Sequence, residues 1–368
     1  MTDARAVWGA ERSLLGLVQH ASANGFEATI ACPIDSPLRG YSRRTGLEIR
    51  FLDVSLQQHP AQSRGGLRAT GLRQIAAEAA ATARASRTVR GWTRDFDYIV
   101  SFETWRNLEV ALGCLGTRAR AVLDMHDVFA GKLGRVLNRF AGWISYSAVA
   151  PSRFTLEKTG LVGRKSSVVP RGTSLPVPIA DRRSSDSEHP IRAAILGEVR
   201  SYKRVDLFCS VIREVNARGT RMLGLVIGDV HEDNVGMRVR SQIEASGGEL
   251  LHIERVDNVF EILADVDYVV NASDEEAFGR TLIEGLAAGA VPVSFSGTGP
   301  AEIIERAGIG AILNSNDHIE LAIKFAQLVS NQAERQRATL EGYSIADRHF
   351  GWPNVATSYY RAVERLPS

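Results

Sequence analysis

Cysteine is scarce: three in 368 residues, at positions 32, 114 and 209, far apart, with no CxxC and no histidine at metal-ligand spacing. That excludes a disulfide framework and a cysteine–histidine zinc site, and it fits a reduced, intracellular protein. An excess of one charge is also lacking. The 44 Lys and Arg against 42 Asp and Glu leave a net charge of +2, too little to argue for nucleic acid as a partner. No stretch offers the roughly 18 apolar residues of a membrane span. The opening MTDARAVWGAERSLL has no basic start followed by an apolar core, so no signal peptide is expected and the cytoplasm is the expected compartment. No GxGxxG follows a strand pattern, which argues against a nicotinamide dehydrogenase. Repeats and low-complexity tracts are absent.

What is present is alternation. Short apolar strands separated by helical patterns are the signature of parallel sheets covered on both faces. The first half offers strands in EATIACP (27–33), DYIVSF (97–102), RAVLDMHD (120–127) and ISYSAVAPS (144–152), with helices over 10–23 and 71–90. The second half offers IRAAILGE (191–198), LGLVIGD (223–229), GELLHIE (248–254), DYVVNAS (267–273) and AVPVSFS (290–296). Helices near 204–217, 235–246, 280–289 and 317–331 separate them. Between the series, RGTSLPVPIADRRSSDSEHP (171–190) is rich in Pro, Ser and charge and predicts a linker. The length accommodates two α/β domains. In open sheets of this kind ligands bind beyond the carboxyl ends of the strands, where helix N-termini point inward, so a site between the two domains is expected.

The chemistry concentrates in SDEEAFGRTLIEGLAAGAVPV (273–293). On one helix, Glu276 and Glu284 would stand ~80° and ~12 Å apart, a poor pair. If the strand ends at Ser273 and the helix begins near Arg280, Glu276 lies on the loop and Glu284 within the helix, and the two address opposite ends of one ligand. Phe278 and Gly279 then sit at the helix start, where free N–H groups and the positive end of the helix dipole favour a phosphate. Glu284 lies among apolar neighbours that leave it little water to face. The Asp265–Val266–Asp267 run precedes a strand and is explained by turn chemistry rather than by a metal.

The stretch EEAFGRTLIEGLAAGAVPV followed by GTGPAEII (297–304) resembles the donor-binding signature of the retaining GT-B glycosyltransferases of family four, the glycosyl transferases group 1. The resemblance continues in order through WGAERSLLGL (8–17), MHDVF (125–129), VVPRGTSLP (168–176), GEVRSYKRVDLF (197–208) and VIGD (226–229). It implies an α/β GT-B fold: two Rossmann-like domains facing across a cleft, with a C-terminal helix crossing back to the first. The corresponding boundaries are 1–175 for the acceptor-side domain, 190–345 for the nucleotide-sugar domain and 346–368 for the crossing helix.

The resemblance also implies roles. Glu284 would hold the ribose hydroxyls of a nucleotide sugar, since a carboxylate accepts two hydrogen bonds from a diol. Glu276 would bind hydroxyls of the transferred sugar. Lys203 would neutralise the diphosphate, where negative charge grows in the transition state. Gly197, Arg200, Phe278, Gly279, Arg280, Thr281 and Leu282 would complete the donor site, His126 would lie beside the donor sugar, and Gly9 and Ala10 would lie on the acceptor side. Catalysis would rest on His126, Glu276 and Lys203, with no metal and no cofactor, the nucleotide-diphosphate sugar being a substrate. The acceptor would be a glycan, a lipid-linked molecule or a small molecule.

Two departures from the family pattern carry expectations of their own. Glu198 stands where the family has Arg after the glycine, so Arg200 or Arg204 would have to supply the missing cation. The first strand is short or missing, reduced at most to ARAVW (4–8), which would leave neighbouring strand edges exposed. The segment 64–94 carries seven Arg and one Glu. With Arg73, Arg84 and Arg87 on one helical face, it is a candidate for peripheral contact with an anionic membrane at its inner face, although a solvated face is the blander reading. Two other functions fit parts of the pattern: a non-catalytic subunit that binds nucleotide sugar, and a nucleotide-sugar epimerase.

Overall fold

The computed structural model describes residues 1–2, 7, 9–54, 72–128, 132–161, 163, 165–175, 189–256 and 258–365. The expected strand remnant at 4–8 and the linker over 176–188 fall almost wholly outside the described residues. The chain forms two compact units, Met1–Gly172 with Trp352–Ser368, and Thr173–Gly351.

The first unit contains α1 (Gly9–Gln19), β1 (Thr29–Cys32), α2 (Pro37–Arg44), β2 (Arg50–Asp53), α3 (Leu72–Trp92), β3 (Tyr98–Ser101), α4 (Asn107–Cys114), β4 (Arg120–Asp124), α5 (Lys132–Ile144), β5 (Ser147–Ala150), α6 (Arg153–Thr159) and β6 (Ser166–Val168). Its strands are all parallel but form two pieces, β1–β2 and β3–β4–β5–β6. The first two residues bridge them. The Met1 amine donates to Val100 O at 2.9 Å, Phe102 N–H to Met1 O at 3.2 Å, and Thr2 N–H to Ala31 O at 3.0 Å. Burial lowers the pKa of that amine to about 6. Beyond Met1 a cavity of about 140 Å³ separates β1 from β3, lined by apolar side chains including Leu17, Ile30, Phe96 and Tyr360.

The second unit continues with β7 (Ile191–Leu196), α7 (Val205–Ala217), β8 (Met222–Ile227), α8 (Asn234–Glu244), β9 (Leu250–Ile253), α9 (Phe260–Leu263), β10 (Tyr268–Asn271), α10 (Arg280–Ala287), β11 (Val291–Ser294), α11 (Gly299–Ala307), β12 (Ala311–Ile312), α12 (His318–Ser330) and α13 (Gln332–Phe350). Its six parallel strands run in the order β12-β11-β10-β7-β8-β9. Counted from β9 this is 3-2-1-4-5-6, the Rossmann order, with the reversal between β7 and β10. Strands β10 and β11 are buried along their whole length, as parallel strands covered on both faces must be. Pro292 is tolerated inside β11 because it lies on the β12 side, where pairing begins only at Val293. Asp233, Asp317 and Asn331 accept first-turn N–H groups of α8, α12 and α13 and so fix where those helices start.

Strands β7 to β11 and helices α7, α8, α10 and α12 lie where the alternation predicts them. The elements not expected are the 19-residue α13, the helices α4, α5, α6, α9 and α11, and the small α2, β6, the two-residue β12 and β2, whose four residues are half-buried or exposed. The returning helix, α14 (Trp352–Glu364), begins at Trp352 rather than at 346, because residues up to Phe350 continue α13 and Gly351 ends it. It packs in the first unit. The Trp352 indole lies between two glycines, and a Cβ placed on Gly16 or Gly172 would come within 2.2 Å or 2.3 Å of its ring. Tyr360 Oη donates to Leu17 O at 2.8 Å, and Glu364 O accepts from Tyr146 Oη at 3.0 Å.

Overpacking of this kind costs about 1–3 kcal/mol. Gly16→Val is therefore expected to lower the urea midpoint of the chain, while Gly25→Ala, at a glycine with nothing near its missing side chain, costs only its positive-φ strain. Equal midpoints for wild type and Gly16→Val would contradict the packing described for α14.

Candidate active site

The reversal between β7 and β10 places two strand ends side by side, and the charged residues gather there. Strand β7 is followed by Gly197, whose φ of +124° suits glycine alone, and a Cβ on Gly228 after β8 would lie 2.4 Å from Gly197 O. A single 3-10 turn, Ser201–Lys203, follows and turns Lys203 towards the end of β10. Its ammonium pairs with Glu276 Oε2, both side chains about one-fifth exposed. Burial works against the lysine charge, but the Glu276 carboxylate, helped by Tyr202, more than offsets it and raises the pKa.

The Glu276 loop is held from three sides. Asp274 N–H donates to Tyr202 O at 3.0 Å, Gly299 N–H donates to Glu276 O at 3.1 Å, and Asn271 Oδ1 accepts from Ser273 N–H at 3.1 Å. A side chain at Gly299 would meet Ala277 O at 2.1 Å, and one at Gly279 would meet Pro300 at 2.8 Å. The GTGP run at 297–300 is thus the platform on which the loop rests. Gly279, in the left-handed region at φ 88°, caps α10, and the helix starts at Arg280. Glu284 is one turn in, 16% exposed, with Arg280 Nη2 3.5 Å from its Oε1. Two expected donor residues contribute position more than contact. Leu282 is fully buried and its N–H donates to Gly279 O at 3.0 Å, and Phe278 is buried in T-shaped contact with Phe350. Thr281 is half-buried.

The replacement cations expected from the sequence are both engaged. Arg200 donates to Glu198 Oε1 at 2.6 Å, and His231 Nε2 meets the same oxygen. The bond from Arg200 holds the Glu198 carboxyl below its usual range. Arg204, at φ 51°, binds Asp274 at 2.7 Å and Asn316 at 2.6 Å. Neither His231 nor Asn316 is signalled by sequence spacing.

In the first unit, Gly9 and Ala10 open α1. His126 follows β4, its side chain 6% exposed and its ring centroid 3.6 Å from that of Phe102. Its Nε2 lies 3.5 Å from Asp124 Oδ1, a polar contact rather than a formed hydrogen bond. Asp124 is the hub. Arg171 donates to Oδ1 and, at 2.6 Å, to Met125 O, and Tyr359 Oη donates to Oδ2 at 2.9 Å. Burial would raise the Asp124 carboxyl, but Arg171 and His126 outweigh it and hold it low. Burial, then Arg171, lowers the pKa of His126 and favours its neutral form. The Arg171 and Tyr359 contacts span 47 and 235 residues, so no local pattern announces them.

Residues 179–344 match the family model of glycosyl transferases group 1. The match falls within the second unit. Solved structures extend the likeness over the chain. HepE of Anabaena in complex with UDP and glucose is 14% identical, with TM-score 0.72, covering 99% of this chain and 98% of that one. A glycosyltransferase from Rickettsia africae is 16% identical at TM-score 0.72, over 98% and 96%. The lipopolysaccharide outer core galactosyltransferase WaaB in its apo form is 13% identical at TM-score 0.74, over 99% and 98%. At such identities the agreement establishes the fold, that of the GT-B glycosyltransferases with two Rossmann-like units. No curated protein matches the chain.

Removing one member of a buried charge cluster costs about 3–5 kcal/mol, so Asp124→Asn is expected to destabilise the first unit by that order at pH 7. Because the folded pKa of Asp124 lies below its unfolded value of about 3.9, its contribution is complete above that value. It fades as pH falls through the folded pKa. Urea unfolding should show a wild-type advantage that is constant from pH 8 to 5 and narrows below pH 4. An advantage independent of pH would contradict the assignment.

Proposed function

We propose that the chain transfers a sugar from a nucleotide-diphosphate sugar to an acceptor hydroxyl with retention of configuration. The observation that carries this reading is the Lys203–Glu276 pair at the reversal between β7 and β10, beside the start of a helix that bears Glu284. In a Rossmann-ordered sheet this is where a diphosphate binds. Lys203 and the first N–H groups of α10 face the diphosphate, Glu284 takes the ribose diol, and Glu276 takes hydroxyls of the sugar. His126, kept neutral by burial, is assigned to the sugar on the family resemblance alone. The acceptor oxygen bonds to the anomeric carbon on the face from which the phosphate departs, and the departing phosphate oxygen takes the acceptor proton. Lys203 supplies the positive charge that a divalent ion would otherwise bring, so chelation with EDTA leaves the rate unchanged. UDP-sugars are the first donors to test, since the HepE structures hold UDP and UDP-glucose. The acceptor is a glycan, a lipid-linked molecule or a small molecule.

Glu198 favours a second reading, a nucleotide-sugar-binding protein without turnover, because it engages Arg200, a cation the diphosphate would otherwise use. The two readings separate on release of the nucleotide. Turnover with UDP-, GDP- or ADP-sugars and an acceptor panel supports the enzyme, whereas saturable donor binding with neither hydrolysis nor transfer supports the binder.

Lys203→Met and Glu276→Ala should each lower kcat by about a hundredfold or more with the folded fraction unchanged, as steady-state assays would read. Undiminished kcat in either variant would refute its role. Glu198→Ala frees Arg200 and should lower the donor KM about threefold or more. A raised KM would show instead that Glu198 itself supports the donor.

A further inference from the structure

Helix α5 carries its apolar residues on the wrong side for a core helix. Leu133, Val136, Phe140 and Trp143 are 43%, 61%, 44% and 73% exposed, whereas Asn138 and Ala141 are buried. At 100° per residue the four exposed apolar residues fall within an arc of about 80°. Phe140 and Trp143 lie side by side, ring centroids 6.2 Å apart. A continuous row of large apolar side chains on one exposed helix face marks a surface that docks on something.

The charges beside the row say on what. Residues 128–156 contain Lys132, Arg135, Arg139 and Arg153 and no acidic residue, in a chain whose charges otherwise nearly balance. Arg135 and Arg139, both exposed, follow the row along one flank. At its C-terminal end Lys165 donates to Trp143 O and Ser145 O at 2.8 Å and 2.9 Å, so a lysine is fixed next to Trp143. An apolar row ending in Trp and Phe with a basic flank is the pattern of a helix lying in the interface of an anionic bilayer. A second copy of the chain fits less well, since antiparallel two-fold pairing of this row would bring the arginine flanks to the same side.

We propose that α5 docks the first unit on an anionic phospholipid surface, with Leu133, Val136, Phe140 and Trp143 entering the acyl boundary and Arg135 and Arg139 meeting the head groups. Of the segment 64–94, also expected to contact a membrane, residues 64–71 lie outside the described residues. In the remainder α3 presents Arg73, Arg84 and Arg87, but Ile75 is its one large exposed apolar residue among those described, so it has charge without anchors. The proposal does not depend on the sugar-transfer reading.

The test is co-sedimentation of the full chain with vesicles of 70% phosphatidylcholine and 30% phosphatidylglycerol, against pure phosphatidylcholine. Wild type should bind the anionic vesicles and lose binding at high salt. Phe140→Ser with Trp143→Ser, and separately Arg135→Glu with Arg139→Glu, should weaken binding about tenfold while circular dichroism and melting temperature stay at wild-type values. Absence of binding to anionic vesicles overturns the proposal, as does binding that both double variants leave intact. So does a wild type that forms a dimer dependent on Phe140 and Trp143 and ignores the vesicles.

Discussion

An ammonium and a carboxylate held together at the point where a parallel sheet reverses its winding organise the second unit. Lys203 comes from the turn after β7 and Glu276 from the loop after β10, so the contact joins neighbouring strands that are far apart in sequence. Coulombic attraction wins over burial there, as the raised pKa of Lys203 records. The pair is only partly sheltered, and its net worth to stability is small. Its importance is geometric. It holds one cation and one acceptor at the strand ends, while Gly299 and Pro300 carry the loop and Gly279 turns the chain into α10.

The first unit solves a different electrostatic problem. Asp124 is fully buried and would be costly unpaired, but Arg171, Tyr359 and the nearby His126 surround it. One of these partners arrives on α14, so the helix that returns after the second unit contributes to the surroundings of His126. Docking of that helix depends on Trp352 fitting where two glycines leave room.

Much of this was legible in the sequence, and the rest was not for identifiable reasons. The buried strands β7, β8, β10 and β11 announce themselves as apolar runs, and Ser273, Gly279 and Arg280 mark the loop and helix start around Glu276. Edge elements such as β2 and β12 carry no such signal, because a half-buried strand of two to four residues looks like a loop. The motif identifies Lys203 and Glu276 separately, but nothing in it says that they pair with each other. Glu198 could be seen to be unusual, whereas its hold on Arg200 and His231 is a property of the folded chain. The same holds for Asp124 and Tyr359. The outward turn of the apolar row on α5 is equally invisible to hydrophobic periodicity, which cannot say which side of an amphipathic helix faces the core.

Calorimetric titration of UDP into the intact chain tests the central claim most directly. With Lys203 and the start of α10 receiving the diphosphate, saturable binding is expected for the wild type, along with its loss in Lys203→Met and a smaller loss in Glu284→Gln. If UDP, GDP and ADP all leave the wild type without saturable heat, or if Lys203→Met binds as the wild type does, the strand ends of β7 and β10 are not a diphosphate site.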